Sequence, residues 1–341
     1  MDKIKGILVG CGGISQTWLR ALGELDSVEL VAMVDIVEEA AQERASQFGY
    51  EGILITDTLE KALELTGPEV VFNCTIPDAH YDVSMKALDH GCHVLTEKPL
   101  AASMQSASEM VSAAEDARRI LAVIQNRRYH PHLRKLRHLL EIGGLGQITT
   151  CNSDFYLGAH FGGFRDHMEH VLLLDMAIHT FDAARLITGE DPLSVYCKEW
   201  NPTGSWYDRD ASAIAIFEMT NGVVYTYRGS WCAEGRNTSW EAQWRVVAEN
   251  GTAEWDGFES VMADRVVEST GFMSDLEPVA ADDYDPGTKV GGHSGVISEF
   301  VSCVRKGGVP ETVASDNIKS LAMVFGAIES AQVGRPVEIK I

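Results

Sequence analysis

A doubly wound parallel α/β sheet, followed by an α+β unit built on a large, mostly antiparallel open sheet, is the fold class this sequence predicts. Two patterns carry the expectation. Through the first third, short apolar β-forming runs alternate with helical segments, the signature of β-α-β units. After Gly143-Gly144, longer runs alternate or cluster β-formers, and Asn221-Gly222 stands between two of them as a hairpin signal. At 341 residues the chain exceeds one ordinary core, so two units are expected, residues 1–124 and 125–341.

The first strand is the apolar run Ile7-Leu8-Val9, which ends in Gly10-Cys11-Gly12-Gly13-Ile14-Ser15 and passes into a helix from Ile14 to Leu22. A second strand, Val28 to Val34, closes on Asp35. Strand, glycine turn, helix and an acid about 20 residues on together form a dinucleotide pattern. Gly10 and Gly13 shape the turn, Gly12 lets the backbone approach a pyrophosphate, and the helix N-terminus at Ile14 stabilises its charge. Asp35 then accepts the ribose hydroxyls. Apolar Ile36 and Val37 follow it, with no Arg or Lys beside it to meet a 2′-phosphate, which favours NAD over NADP. Ser15 takes the third glycine position of the G-x-G-x-x-G pattern, so looser helix-strand packing is expected there.

Helix signals continue from Val37 to Phe48, stopped by Gly49, and from Thr58 to Leu65 behind Asp57. Then come strand Val70 to Cys74, helix Ala79 to Asp89, strand His93 to Thr96, helix Met104 to Arg118 and strand Ile120 to Ile124. A basic helix from Leu133 to Ile142 precedes the change of character. The second unit reads as strands Ile148 to Tyr156, Ala211 to Met219, Val223 to Trp231 and Trp244 to Ala248, with helices over Met168 to Thr188, Val296 to Arg305 and Asn317 to Gln332. The acidic stretch Asp275 to Asp285 reads as a solvated loop. Trp200, Trp206, Trp231, Trp240, Trp244 and Trp255 either stack on a sugar or pack in the core or at an interface; most alternate with β-formers, so sheet packing is the expected reading.

Charge and cysteine usage exclude several classes. A net charge of −22 offers no basic patch for nucleic acid or anionic membrane surfaces. Seven scattered cysteines without a C-x-x-C pair fit reduced thiols, and Met1-Asp2-Lys3-Ile4-Lys5 leads into a strand without a signal-peptide apolar region; a cytoplasmic protein is expected.

Three constellations carry chemistry. Thr75-Ile76-Pro77-Asp78-Ala79-His80 follows a parallel strand at its carboxyl end, the edge where such sheets bind ligands. Glu97-Lys98-Pro99 ends the next strand, where Lys98 either reaches over a nicotinamide or stands as a surface lysine before a helix. Asp175 and His179, four apart on an apolar helix, form either a structural hydrogen bond or a tuned acid-base pair.

In this order and spacing the three constellations resemble the Gfo/Idh/MocA family of nicotinamide-dependent sugar and polyol oxidoreductases, over nearly the whole chain through Ser330-Ala331-Gln332-Val333-Gly334-Arg335-Pro336-Val337. The family pattern is a Glu-Lys-Pro strand end and an Asp-x-x-x-His motif. The resemblance implies catalytic roles for Lys98 and His179, with Asp175 binding substrate or orienting the base. It implies cofactor contacts at Thr75, Ile76, Pro77, His80, Glu97, Lys98 and Asn126, and a Lys98-Pro99 bond that is often cis. Gln125-Asn126-Arg127 resembles the segment bordering the nicotinamide, which places Arg127 toward substrate. The family's glycine-rich run before the Asp-x-x-x-His helix is replaced by Phe164-Arg165-Asp166-His167-Met168-Glu169-His170-Val171-Leu172-Leu173-Leu174, a rebuilt loop. Arg165, His167, His160 and His293 are the substrate candidates around it.

His160, His167, Glu169, His170 and His179 lack the H-E-x-x-H spacing of a zinc site, and no metal is expected. The reading is an NAD-dependent oxidoreductase of a sugar, sugar derivative or cyclic polyol, working as a homodimer or homotetramer through its open sheet. The rival readings are NAD-assisted glycoside cleavage through a transient keto-sugar and a non-catalytic sugar sensor. Retained Lys98 and His179 weigh against the sensor.

Overall fold

The computed structural model describes residues 3–269, 271–280 and 284–341. Six strands, β1 (Ile4–Val9), β2 (Val28–Val34), β3 (Leu54–Thr56), β4 (Val70–Asn73), β5 (His93–Thr96) and β6 (Leu121–Val123), form one parallel sheet in the order β3-β2-β1-β4-β5-β6. Helices α1 (Ser15–Gly23), α2 (Glu38–Phe48), α3 (Leu59–Thr66), α4 (Pro77–Asp89) and α5 (Met104–Ala117) connect them. The inner strands read as unbroken apolar runs because both faces of a parallel sheet are covered. Ile7, Leu8, Val71, Phe72, Val94 and Leu95 are all fully buried. The strand order turns back between β1 and β4, so a crevice opens beyond their carboxyl ends. The three-residue strand β3 was not expected, since so short a run has no readable period.

The second sheet has nine strands. α6 (Pro131–Ile142) leads to β7 (Ile148–Tyr156), and α7 (Ile178–Thr188) leads to β8 (Pro192–Trp200), β9 (Ser212–Met219), β10 (Val224–Ser230), β11 (Gln243–Ala248), β12 (Gly251–Trp255), β13 (Val261–Glu268) and β14 (Asp275–Pro278). After α8 (His293–Lys306) and α9 (Ala314–Val333), β15 (Val337–Glu338) closes the order β14-β13-β12-β11-β7-β10-β9-β8-β15. Every pairing is antiparallel except β7 with β10. Burial alternates along β8 and β9, so one face packs inward. On that face, Phe181 of α7 meets Phe217 and Tyr227 edge-on, at 4.9 and 5.2 Å between ring centroids. The other face exposes Tyr196, Ile214, Ile216 and Met262.

The chain divides into two compact units, residues 1–129 with 288–318, and residues 130–287 with 319–341. The first unit thus takes back α8, a segment that a single boundary after residue 124 leaves in the second. Phe300 of α8 packs edge-on against Phe72 of β4, so an apolar face carried late in the chain completes the first core.

Three expectations are corrected. The helix read over Met168 to Thr188 starts later and is two pieces, a π-helix at Leu172–Ala177 and then α7, with a separate 3-10 turn at Gly163–His167 before it. A π turn inserts one extra residue per turn, and such insertions gather at functional sites. Part of the acidic stretch is the edge strand β14, formed by pairing with β13 and by Arg265 on Glu277; residues 281–283 lie outside the described residues. Trp206 and Trp240 belong to loops and not to strands, whereas Trp231, Trp244 and Trp255 are buried as expected. Among the described residues no helix is long and apolar enough to cross a membrane, and all seven cysteines are free thiols.

Candidate functional site

In the first unit the candidate residues gather at the carboxyl edge of the parallel sheet. Gly10 turns at φ +89°, and a Cβ on it would sit 2.7 Å from the backbone of Cys74, so only glycine fits where the loop crosses the end of β4. Around Gly12 and Gly13 the opposite holds: a Cβ would meet nothing within 4 Å. The helix that follows, α1, has no side-chain cap and no acid in its first turn. Room beside the backbone and an uncapped helix N-terminus are what a pyrophosphate requires. Ile14, Ile36 and Ile76 are exposed at 40%, 91% and 67%, apolar surface that a flat base or nicotinamide would cover. The residues present therefore fit a dinucleotide.

Ser15 does not loosen this turn. It is fully buried and its hydroxyl donates to the Gly12 carbonyl at 2.6 Å, pinning the loop from below. Asp35 accepts the Cys11 and Val37 backbone N–H groups at 2.7 and 2.9 Å. One residue escaped sequence reading. Arg44 reaches from α2 to the Cys11 and Gly12 carbonyls, its nitrogens 3.2 to 3.3 Å away. Adjacency to Asp35 could not reveal it, but helical spacing could, since Arg44 lies seven residues past Val37.

Along the next strand ends, Thr75 donates through its N–H and hydroxyl to the Asn73 side chain at 3.2 and 2.6 Å. Pro77 opens α4. His80 is sealed: fully buried, its ring nitrogens lie 2.7 Å from the Pro99 carbonyl and 3.0 Å from that of Thr75. Burial pushes its pKa down. It ties the Thr75 loop to the Lys98-Pro99 segment, whose peptide bond is cis, and has no face left for a ligand.

Glu97 is buried too, accepting the Trp18 indole N–H at 2.7 Å and the Lys98 N–H at 3.1 Å. Its burial pushes its pKa up, against the pull of Trp18 and Lys98. His293, nearly two hundred residues away in sequence, lies 3.9 Å from Glu97; burial and the Lys98 charge push it down to about 4. A Cβ on Gly292, preceding it, would stand 3.9 Å from the Asn126 side chain, and Arg127 shares the 3-10 turn with Asn126. The structure thus brings Glu97, Lys98 and His293 together, with Asn126 beside Gly292.

The second unit holds the other candidates. Asp175 sits in the π-helix and buried His179 in the first turn of α7. Arg165 meets the Asp175 carboxylate with two nitrogens, at 2.9 and 3.4 Å. His170, at a left-handed φ of 52°, sits 2.6 Å from buried Glu199 and anchors the start of the helix. Mutual hydrogen bonding raises the His170 pKa. His167 is bound to Asp208 at 2.6 Å, which raises its pKa, and His160 to Glu234 at 2.9 Å. The loop histidines thus turn to different acids, and among the described residues no three His, Cys, Asp or Glu side chains gather as metal ligands.

Comparison with known proteins agrees with this division. The model of an oxidoreductase family with an NAD-binding Rossmann fold matches residues 4–125, and the GFO/IDH/MocA C-terminal domain matches residues 133–254. D-apiose dehydrogenase of Paraburkholderia graminis is 26% identical over 100% of this chain and 91% of its own. Inositol 2-dehydrogenase of Rhizobium meliloti is 23% identical over 97% and 98%. An oxidoreductase from Agrobacterium radiobacter, solved in complex with NAD+, L-tartaric acid and magnesium, shares the fold with a TM-score of 0.85 at 22% identity, covering 99% of this chain and 98% of that one.

Proposed function

Because the chain belongs to the Gfo/Idh/MocA family of oxidoreductases, with its NAD-binding Rossmann domain at the front, we propose that it interconverts a hydroxyl and a keto group on a sugar, a sugar derivative or a cyclic polyol. The observation that carries this reading is Lys98 at the carboxyl end of β5, in the same unit as a glycine turn with room for a pyrophosphate. NAD, when bound, supplies the hydride acceptor or donor. Gly10, Gly12, Gly13 and Ile14 cradle it, Asp35 takes the ribose hydroxyls, and Ile36, Thr75, Ile76 and Pro77 line its path. His80 and Glu97 serve it indirectly, by fixing the loops that Thr75 and Lys98 stand on.

The Lys98 ammonium holds the substrate oxygen and offsets its developing negative charge. His179 takes the hydroxyl proton in oxidation and returns it in reduction. Asp175, braced by Arg165, orients the base. Asn126, Arg127 and His293 border the reacting group. The free thiols fit a reducing, cytoplasmic setting.

The test is NADH absorbance across a panel of sugars, inositols and keto-glycosides. Formation of NADH with at least one member supports the reading. Product without net NADH would point to transient oxidation and glycoside cleavage, and no chemistry with any member would sink the assignment. Titrating NAD and NADP against tryptophan fluorescence is expected to show tighter NAD binding, since the Asp35 carboxylate repels a 2′-phosphate. Asp35→Ser narrows the gap. Equal or tighter NADP binding by the wild type would show that Arg44 outweighs Asp35.

The open sheet face exposes Tyr196, Trp200, Ile214, Ile216, Val224 and Met262. Apolar surface of this kind is covered in an assembly, and the proposed occupant is a second copy, giving a homodimer or homotetramer. Light scattering at micromolar concentration is expected to report at least a dimer; a monomer near 37.3 kDa contradicts it.

A further inference from the structure

The loop in place of the family's glycine-rich run holds an unusual set of exposed rings. Phe161-Gly162-Gly163-Phe164 turns through two consecutive left-handed glycines, φ +69° and +68°, and a Cβ on either would meet nothing within 4 Å. Side chains rarely adopt that backbone, so the pair serves the shape of the turn. The turn presents Phe161 and Phe164 to the Arg165 guanidinium at 5.0 and 4.9 Å. Phe161 also stands edge-on to buried Trp231 at 5.3 Å, and Trp231 to Trp240 at 5.6 Å. Phe161, Phe164 and Trp240 are nevertheless 44%, 67% and 48% exposed. Rings that are anchored on one side and open on the other are pre-organised to bind. Arg165 joins them directly to Asp175.

We propose that Phe161, Phe164 and Trp240 form a platform for a second, neutral sugar ring, so that the substrate is a glycoside or oligosaccharide and not a bare monosaccharide or polyol. The inference rests on the reading of Asp175 and His179 as part of the substrate pocket. A pyranose ring offers a face of C–H groups, slightly positive, which suits the negative face of an aromatic ring. Its hydroxyls find partners at the margin, where His160, stacked on Trp206 at 3.7 Å, pairs with Glu234, and His167 pairs with Asp208. This charged margin is unlike the core of a protein interface, from which charges are depleted. Arg165, His160 and His167 are each paired with an acid, Asp175, Glu234 and Asp208, which disfavours a phosphate or a uronic acid as the second group.

The experiment is calorimetric titration of NAD-loaded protein with paired probes, cellobiose against glucose and lactose against galactose, and with UDP-glucose. Binding is read without hydride transfer, so failure of the dehydrogenase reading and failure of the platform are separable. The expected result is at least one disaccharide binding 10-fold or more tightly than its monosaccharide. That ratio collapses in Phe164→Ala and in Trp240→Ala, and is kept in Phe164→Trp, which preserves the ring. Absence of a gap in both pairs, absence of any disaccharide binding, a gap indifferent to both alanine variants, or tighter binding of UDP-glucose would each overturn the proposal.

Discussion

Lys98→Ala is expected to lower turnover by on the order of 10²-fold or more, because it removes a preorganised charge at the oxygen where negative charge develops. Lys98→Arg does not restore it. A planar guanidinium fork cannot take the position of a compact ammonium, and the neighbourhood of Lys98 is already closed by Glu97 and His293. On the proposed roles, His179→Ala lowers turnover too, while NAD affinity stays near wild type, because the imidazole serves the substrate proton and not the dinucleotide. The pH profile separates the roles. Oxidation needs a neutral imidazole, so the rate falls as pH drops and His179 takes a proton, and rises again with pH. His293, held down to about 4, is neutral near pH 7 and contributes no acid limb there. Initial rates against pH for each variant on the best substrate decide the matter. A His179→Ala enzyme with unchanged turnover and limb would make this histidine a core residue and move the search for the base to Asp175.

Gly10→Ala is expected to cost on the order of 3 kcal/mol, combining backbone strain at φ +89° with a Cβ driven to 2.7 Å from the Cys74 backbone. For a unit of this size that is a fall in melting temperature of about 6 to 12 °C. Two further glycines dissect the effect. Gly49 has φ +72° at the end of α2 and an open surrounding, so Gly49→Ala carries only the strain, about 1 kcal/mol. Gly12 has no left-handed φ and a Cβ on it would meet nothing within 4 Å, so Gly12→Ala melts near the wild type yet binds NAD at least 10-fold more weakly, its methyl occupying the space a pyrophosphate needs. Thermal melts with and without NAD measure all three. If Gly12→Ala binds NAD as the wild type does, the cradle is not where the dinucleotide lies; if Gly10→Ala melts like Gly49→Ala, the contact with Cys74 is not what demands glycine.

Local chemistry and periodicity made much of this protein legible from sequence. The glycine turn, Asp35 and the alternation of apolar strands with helices are short-range patterns, and each depends on residues within a few turns of one another. The same holds for Asn221-Gly222, whose left-handed residues join β9 to β10. What only the tertiary structure decided are contacts between residues far apart in the chain. His293 beside Glu97, α8 completing the first core and β14 made a strand by its neighbour arise from packing, which no local pattern encodes. The rebuilt loop lies between these cases. Its glycines and rings were visible, but whether they formed a solvated loop or an anchored one depended on Arg165 finding Asp175 across ten residues, and on Trp231 being buried beneath Phe161. A π turn likewise leaves no spacing signature, because a single turn with i→i+5 hydrogen bonds is too short to set a period of its own.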